Sequence, residues 1–432
     1  MEKARLTYGN AASVYGCCKL FDLCSDDALM SLSLAGQEPF LDWVGWEPSL
    51  NCIERRSFIA WVRPSAATGS GHDSGIMADP CGDAQGAEWG VCDFELRDFG
   101  RLRRRGPVRD VTMVNVKLCE MQPRYRLDGS PITDDLEFDM RIATEALMQD
   151  LKYRIITGSA ATPGDFAGLE NLVRTGYRNT NGSFCPLMDS IVVNMNGNGM
   201  GGGNGMTWNN VPIASSFSFI DILLAAYRRV VQRLSWSPAL AAQQLQVGNV
   251  VLVAPTHLVR CILDAYTCWS VCPGGQYTPA TIQTYEARTF RDSLNGGMFG
   301  FGRVFLDGFE VPIIAYDWGL IKTPTRSDCY LLTGAVGNQR LMIGQFNDMR
   351  AVAAEFPDRY QATDGGRLLV WTETDMTCIQ THVEIRPRLL LSAPWAQVRF
   401  QNVACTQVSP LISPDPWETS FFPETSFKPA KC

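Results

Sequence analysis

The chain has 432 residues, 46% of them apolar and 19% charged, with a formal net charge of −7. That is enough apolar material for two or three lobes with their own cores, and the acidic balance argues against a general polyanion binder. No apolar run reaches the roughly 18 residues of a membrane span, since the stretch 220–227 is stopped by Arg228 and Arg229. The opening MEKARLTYGNAAS lacks the basic-then-apolar layout of a signal peptide, so assembly in a cytoplasm is expected. Of the 38 basic residues only 7 are Lys, a choice that suits planar contacts to carboxylates at interfaces and equally a GC-rich genome. The 15 cysteines are scattered, and an odd number leaves at least one free or paired between chains.

Residues 1–51 carry a short apolar helix pattern at 26–35 and the aromatic stretch PFLDWVGWEP, which reads as an arm docking on another surface. Two strand-like runs follow, IERRSFIAWVRP and AEWGVCDFELRDFGRLRRRGPVRDVTMVNV, separated by a Gly/Ala/Asp/Ser linker. This predicts a long β-hairpin with a loose tip, too thin to be stable without support. Its second strand would carry Arg97, Arg101, Arg103, Arg104, Arg105 and Arg109.

From Asp134 the periodicity becomes helical. Asp134 and Glu137 have capping-box spacing, and Gly158 supplies the stop. Leu136, Met140, Ala143, Leu147, Leu151 and Ile155 form one apolar stripe, with Asp135, Asp139, Glu145 and Asp150 among the residues assigned to the other face. At 1.5 Å per residue this is a rod of roughly 36 Å. Phe166-Ala167-Gly168-Leu169-Glu170-Asn171-Leu172 follows within a few residues.

The segment NGNGMGGGNGM contains G-x-G-x-x-G at Gly197, Gly199 and Gly202, but no helix can start close enough behind it to meet a phosphate, so a loop is expected. Helices are predicted at 219–236 and from Pro255 to about Tyr266, with a buried strand at 250–254. His257, Cys261, Cys268 and Cys272 give H-x3-C-x6-C-x3-C, a loose zinc spacing on a helix that also needs its apolar stripe. Strands are predicted near 311–316 and 328–333, and the alternation across 367–391 predicts a separate sheet. In the tail, 408–432, Trp417-Glu-Thr-Ser-Phe421 is echoed by Pro423-Glu-Thr-Ser-Phe427, a proline-spaced pattern suited to docking.

The long helix, the Gly/Pro loop and F-x-G-L, followed by VGNVVLVAPTHLVRCILDAY, VFLDGFEVPIIAYDW and DCYLLTGAVGNQRLMIGQFNDM, resemble the major capsid proteins of tailed bacteriophages. The resemblance rests on the order and spacing of these pieces, not on one diagnostic motif. It implies an α+β chain with the Hong Kong 97-type capsid fold. Its parts would be an N-terminal arm (1–51), an extended β-hairpin loop (52–130), a spine helix (131–158), a peripheral domain (159–189 and 356–407), an axial domain (190–355) and an extended tail (408–432). It further implies a virion protein that is not an enzyme, forming pentamers and hexamers around double-stranded DNA. Portal, separate scaffold and decoration proteins would be its partners, with no cofactor, metal or membrane. Some such proteins cross-link through a lysine in the extended loop, and no lysine stands between 52 and 116. With only about 50 residues ahead of the hairpin, scaffolding is expected from a separate protein.

On this reading the arginines of one subunit's hairpin meet acidic residues of another, such as Asp135 and Asp139 of its spine helix, while Trp417, Phe421 and Phe427 dock the tail. Cys17, Cys18 and Cys432 are the candidates for disulfides between subunits in an oxidising medium. Two alternatives compete. One is an encapsulin-type nanocompartment shell, on the same fold but usually shorter. The other is a zinc- or thiol-dependent enzyme using the cluster at 257–272.

Overall fold

The run VVLVA at Val250–Ala254 forms a strand with all five side chains buried, as a strand covered on both faces must. Val250, Leu252 and Ala254 join one core, while Val251 and Val253 point into a second. This is seen in a computed structural model that describes residues 39–49, 54–64, 87–96, 99–110, 124–125, 131–132, 135–178, 182–236, 245–246, 248–271, 302–323, 325–357, 360–375 and 378–405. The expected helix at 26–35, the hairpin tip and the tail 408–432 lie outside the described residues.

The strand belongs to a nine-stranded sheet. Across it run Val211–Pro212, Thr207–Trp208, Ile191–Asn194, Val398–Ala404, Arg326–Thr333, Val250–Ala254, Phe309–Ala315 and Arg303–Leu306, with Ile321–Thr323 also on Arg326–Thr333. Two pairings are parallel, Val250–Ala254 with Phe309–Ala315 and Ile191–Asn194 with Val398–Ala404. One face is covered by two helices. Phe219–Trp236 has the bounds its periodicity predicts and buries Phe219, Leu223, Ala226 and Val230. Thr256–Val271 runs past the expected stop at Tyr266, because no glycine or proline interrupts the chain before Pro273.

The other face meets the spine helix, Asp135–Thr157, 23 residues long. Its predicted stripe is its core face: Met140, Ala143, Leu147, Leu151 and Ile155 are all buried. Each fully buried Leu or Met there contributes about 1.5–3 kcal/mol. Val370, Val383 and Ile385 complete this core from a five-stranded sheet made of Gln361–Thr363, Leu368–Asp375, Cys378–Ile385, Leu102–Arg105 and Arg109–Asp110.

Three expectations are corrected. The aromatic stretch docks on its own chain: Phe40, Leu41 and Val44 of the helix Pro39–Val44 are buried in the second core, and Trp46 stacks on Phe346. Trp46–Ser49 then runs parallel to Met342–Asn347, whose other neighbour is Pro387–Leu391. The hairpin pairs Glu54–Pro64 with Ala87–Leu96 and ends there. Arg101, Arg103, Arg104, Arg105 and Arg109 are therefore not on its second strand. Leu102–Arg105 crosses to Cys378–Ile385, with Leu102 opposite Ile385 and Arg105 opposite His382. Finally, the alternation at 367–391 does give a separate sheet, but Pro387 starts a strand of another one, and Val398–Ala404 returns to the middle of the large sheet. The segment 356–407 thus divides among three sheets.

Candidate assembly interface

The junction behind the spine helix is built from glycines. Gly158 N donates to Arg154 O at 2.7 Å, ending the helix, and Gly168 N donates to Gly158 O at 2.9 Å. The two glycines pass so closely that a Cβ on Gly168 would lie 2.6 Å from Arg154 O and 2.7 Å from both Gly158 N and Ile156 O. Asn171 Nδ2 caps the Gly158 carbonyl at 2.6 Å, and Arg154 pairs with Asp165, which also accepts the Ser159 N–H. Phe166 and Leu169 fill the core beneath. The F-x-G-L-x-N-L segment thus works as a helix-terminating clasp. Its Glu170 continues into a charged network: Lys322 and Arg399 both reach Glu170, and Arg399 donates to Asp328 at 2.7 Å. This ties the clasp to the nine-stranded sheet.

The arginines expected at a subunit contact are largely spoken for within the chain. Arg101 donates to Oε1 of the buried Glu384 at 2.9 Å, and Arg386 donates to the same oxygen at 2.8 Å. Arg103 lies 4.6 Å over the Trp371 ring and 2.9 Å from His382 Nδ1. His382 in turn stacks on Trp371 and sits 2.9 Å from Glu373. Burial, then the positive charge of Arg103, pushes the His382 pKa down to about 4. Arg104 forms a two-pronged pair with Asp150 of its own spine helix. Arg105 is exposed. Arg109 pairs through its backbone strand opposite Ile379.

Asp139 is also corrected. It is 0% exposed and packs against Gly106, so it faces its own chain and cannot meet a neighbour. The spacing contained this: Asp139 stands four residues before Ala143 and eight before Leu147, on the edge of the apolar stripe. Asp135 opens the helix. Arg97, Trp417, Phe421, Phe427, Cys17, Cys18 and Cys432 lie outside the described residues.

The chemistry of the helix 256–271 is corrected as well. Cys261 is bonded to Cys405 in a disulfide that joins this helix to the end of the strand Val398–Ala404, so its thiolate is not open to zinc. Cys185 and Cys378 are also disulfide-bonded, and Cys329 is a buried free thiol. Among the described residues no three His, Cys, Asp or Glu side chains are grouped as metal ligands. His257 Nε2 is 3.1 Å from Ser327 Oγ, the spacing of a nucleophile and its base, but Ser327 is wholly buried. Asp317, the nearby carboxylate, is occupied by the Thr256 N–H and hydroxyl at the helix start. The Gly-rich turn leads to a helix whose N-terminus is filled by its own capping box, Ser218 with Asp221.

What the surface does offer is apolar. Ile142 and Tyr153 on the spine helix are 43% and 40% exposed, Phe184 is 66% exposed, and Val211 and Phe217 stand out near the tip of the large sheet. Sequence reading missed these; Ile142 and Tyr153 are visible in it only as apolar residues off the core stripe. Among the described residues no helix is long and apolar enough to cross a membrane.

No family model matches the chain, and no curated protein matches it in sequence. Solved structures do match in shape. The capsid asymmetric unit of cyanophage A-1(L) superposes with a TM-score of 0.52 at 11% identity, covering 85% of this chain and 93% of that one. The holo-SrpI encapsulin complex of Synechococcus elongatus gives 0.45 at 13% identity, covering 85% and 88%. The capsid of Ralstonia phage GP4 gives 0.41 at 11%, covering 86% and 88%. At such identities the likeness is one of fold. The chain carries the mixed helix-and-strand capsid fold.

Proposed function

We propose that this chain is the major capsid protein of a tailed phage, associating in pentamers and hexamers into an icosahedral head around double-stranded DNA. The observation that carries the reading is the match of fold to a cyanophage capsid subunit over most of both chains. In this reading the nine-stranded sheet with its two helices is the axial domain. The spine helix with the five-stranded sheet is the peripheral domain, and the hairpin Glu54–Leu96 is the extended loop that reaches a neighbour. Contacts between subunits would then use Arg105, the exposed spine-helix residues Ile142 and Tyr153, and the tail residues Trp417, Phe421 and Phe427. Arg97, Arg109 and Asp135 remain proposed contacts. Cys17, Cys18 and Cys432 are proposed as the disulfides between neighbours. Closed shells need such extensive self-complementary surface. Portal, scaffold and decoration proteins would act at this shell, assembled in the host cytoplasm and ending in the virion.

Electron microscopy of the protein expressed with and without its neighbouring phage genes tests this. Uniform icosahedral shells holding nuclease-protected DNA are expected. Shells that enclose protein cargo and no DNA would favour the encapsulin reading. Only small discrete oligomers under every assembly condition would refute a shell protein.

A further inference from the structure

The asparagine- and glycine-rich turn between Ile191–Asn194 and Thr207–Trp208 holds three Asn-Gly steps, at Asn196, Asn198 and Asn204. Such a step can close on itself. The backbone nitrogen of the glycine attacks the asparagine Cγ, a C–N bond forms, the Cγ–Nδ2 bond breaks and ammonia leaves. Water then opens the succinimide ring at either carbonyl, giving aspartate or isoaspartate. The reaction needs water and a base to take the glycine N–H proton, and no oxidant. It also needs that nitrogen and the side-chain amide both free to move.

The turn treats its three steps differently. At Asn196 the attacking nitrogen is tied down, since Gly197 N donates to Asn402 O at 2.8 Å. At Asn198 the side chain is clamped: Nδ2 donates to Met195 O at 2.6 Å and to Asn204 O at 3.0 Å. Its own carbonyl accepts the Ala404 N–H at 3.0 Å, fixing the following peptide plane. Asn204 is exposed, and neither its side-chain amide nor Gly205 N is hydrogen-bonded to any described residue. Gly205 sits at φ +77, open to glycine, with the Asn196 amide packed against it. The Asn198 and Asn196 amides do hold the Asn204 carbonyl, as Ala404 holds that of Asn198, so what sets Asn204 apart is that its side-chain amide and the attacking nitrogen are both unbonded among the described residues.

We propose that Asn204 is a self-modification site, deamidating in the folded protein ahead of Asn196 and Asn198. The conversion adds one negative charge at an exposed turn. As isoaspartate it also lengthens the backbone by a methylene, loosening the carbonyl that the other two asparagines hold. This does not rest on the capsid reading.

The test is peptide mapping by mass spectrometry, with fragmentation that separates the three sites, on full-length protein aged in mildly alkaline buffer. Parallel samples are aged in urea, and fold retention is followed by circular dichroism. In the folded protein, conversion at Asn204 should exceed that at either other site by about fivefold, the factor that one retained hydrogen bond of about 1 kcal/mol confers. In urea the three should convert at similar rates. Asn198→Ala, which removes the shorter of the two bonds to the Asn204 carbonyl, should speed the reaction at Asn204, and Asn204→Gln should abolish it there. Folded protein in which Asn196 or Asn198 converts as fast as Asn204 would overturn the assignment. So would an Asn204 that stays intact while the urea sample converts.

Discussion

Alanine at Gly168 should break the clasp behind the spine helix. Gly168 has φ −82, a conformation open to any residue, so the cost is one of space. The new Cβ would press on Arg154 O at 2.6 Å, Gly158 N at 2.7 Å and Ile156 O at 2.7 Å, and all three are backbone atoms that cannot rotate away. The helix end and the loop must separate. That forced overpacking costs about 1–3 kcal/mol. Separation also weakens the bonds from Gly168 N and Asn171 Nδ2 to the Gly158 carbonyl, worth about 1 kcal/mol each. The total is about 3–5 kcal/mol, a drop of roughly 3–6 °C in melting temperature if a chain of this length unfolds as a unit. Gly164→Ala is the control: φ is +81 but nothing lies within 4 Å of the new Cβ. It should cost about 1–2 kcal/mol from backbone conformation alone. Asn171→Ala, which removes only the cap, should cost about 1 kcal/mol. Melting the three variants beside the parent by circular dichroism decides the matter. A Gly168→Ala protein no less stable than Gly164→Ala would refute the steric argument.

Leu151→Ala, in the buried stripe of the spine helix, should cost about 2–5 kcal/mol by leaving a cavity; a loss below 1 kcal/mol in urea titration would mean the core there is not packed as described. Acid should act through His382. Its pKa of about 4 lies below the ordinary 6.5, so the unfolded chain binds the proton more readily and stability is lost as pH falls between those values. The loss attributable to this one side chain is about 3 kcal/mol at most. Comparing pH titrations of the parent and His382→Gln isolates it, with Arg103, Arg105 and Glu373 facing the ring in both; parallel curves from pH 7 to 4 would contradict the assignment. The Cys261–Cys405 disulfide closes a separation of 144 residues, and pairing Cys261→Ser with Cys405→Ser should cost about 2–5 kcal/mol. Reductant should close the stability gap between parent and variant, and a gap that persists would show that the bond contributes nothing. By contrast Arg104→Ala, which cuts a half-exposed pair with Asp150, should lower stability by no more than about 1 kcal/mol.

Local periodicity carried a large part of this fold. The helix Phe219–Trp236 and the strand Val250–Ala254 have the bounds their patterns predict, because a 3.6-residue apolar period and an unbroken β-branched run each admit one covered geometry. The spine helix, its buried stripe and its stop at Gly158 were equally legible, since glycine ends a helix by backbone chemistry alone. The charged network at Glu170, the stack of Arg103, Trp371 and His382, and the pairing of Cys261 with Cys405 were not. Each joins residues far apart in the chain, and no local pattern says which distant strand will lie alongside. The same limit misplaced the arginine run: a strand reads alike whether it continues a hairpin or crosses to another sheet. Asp139 was the intermediate case, on the core edge by its spacing yet assigned to the surface by its charge. Which segments coil, which extend and where they stop was written in the chain, because those follow from backbone and side-chain period. Which strands became neighbours and which charges were buried emerged on folding, because that depends on contacts between segments whose meeting the local chain does not encode.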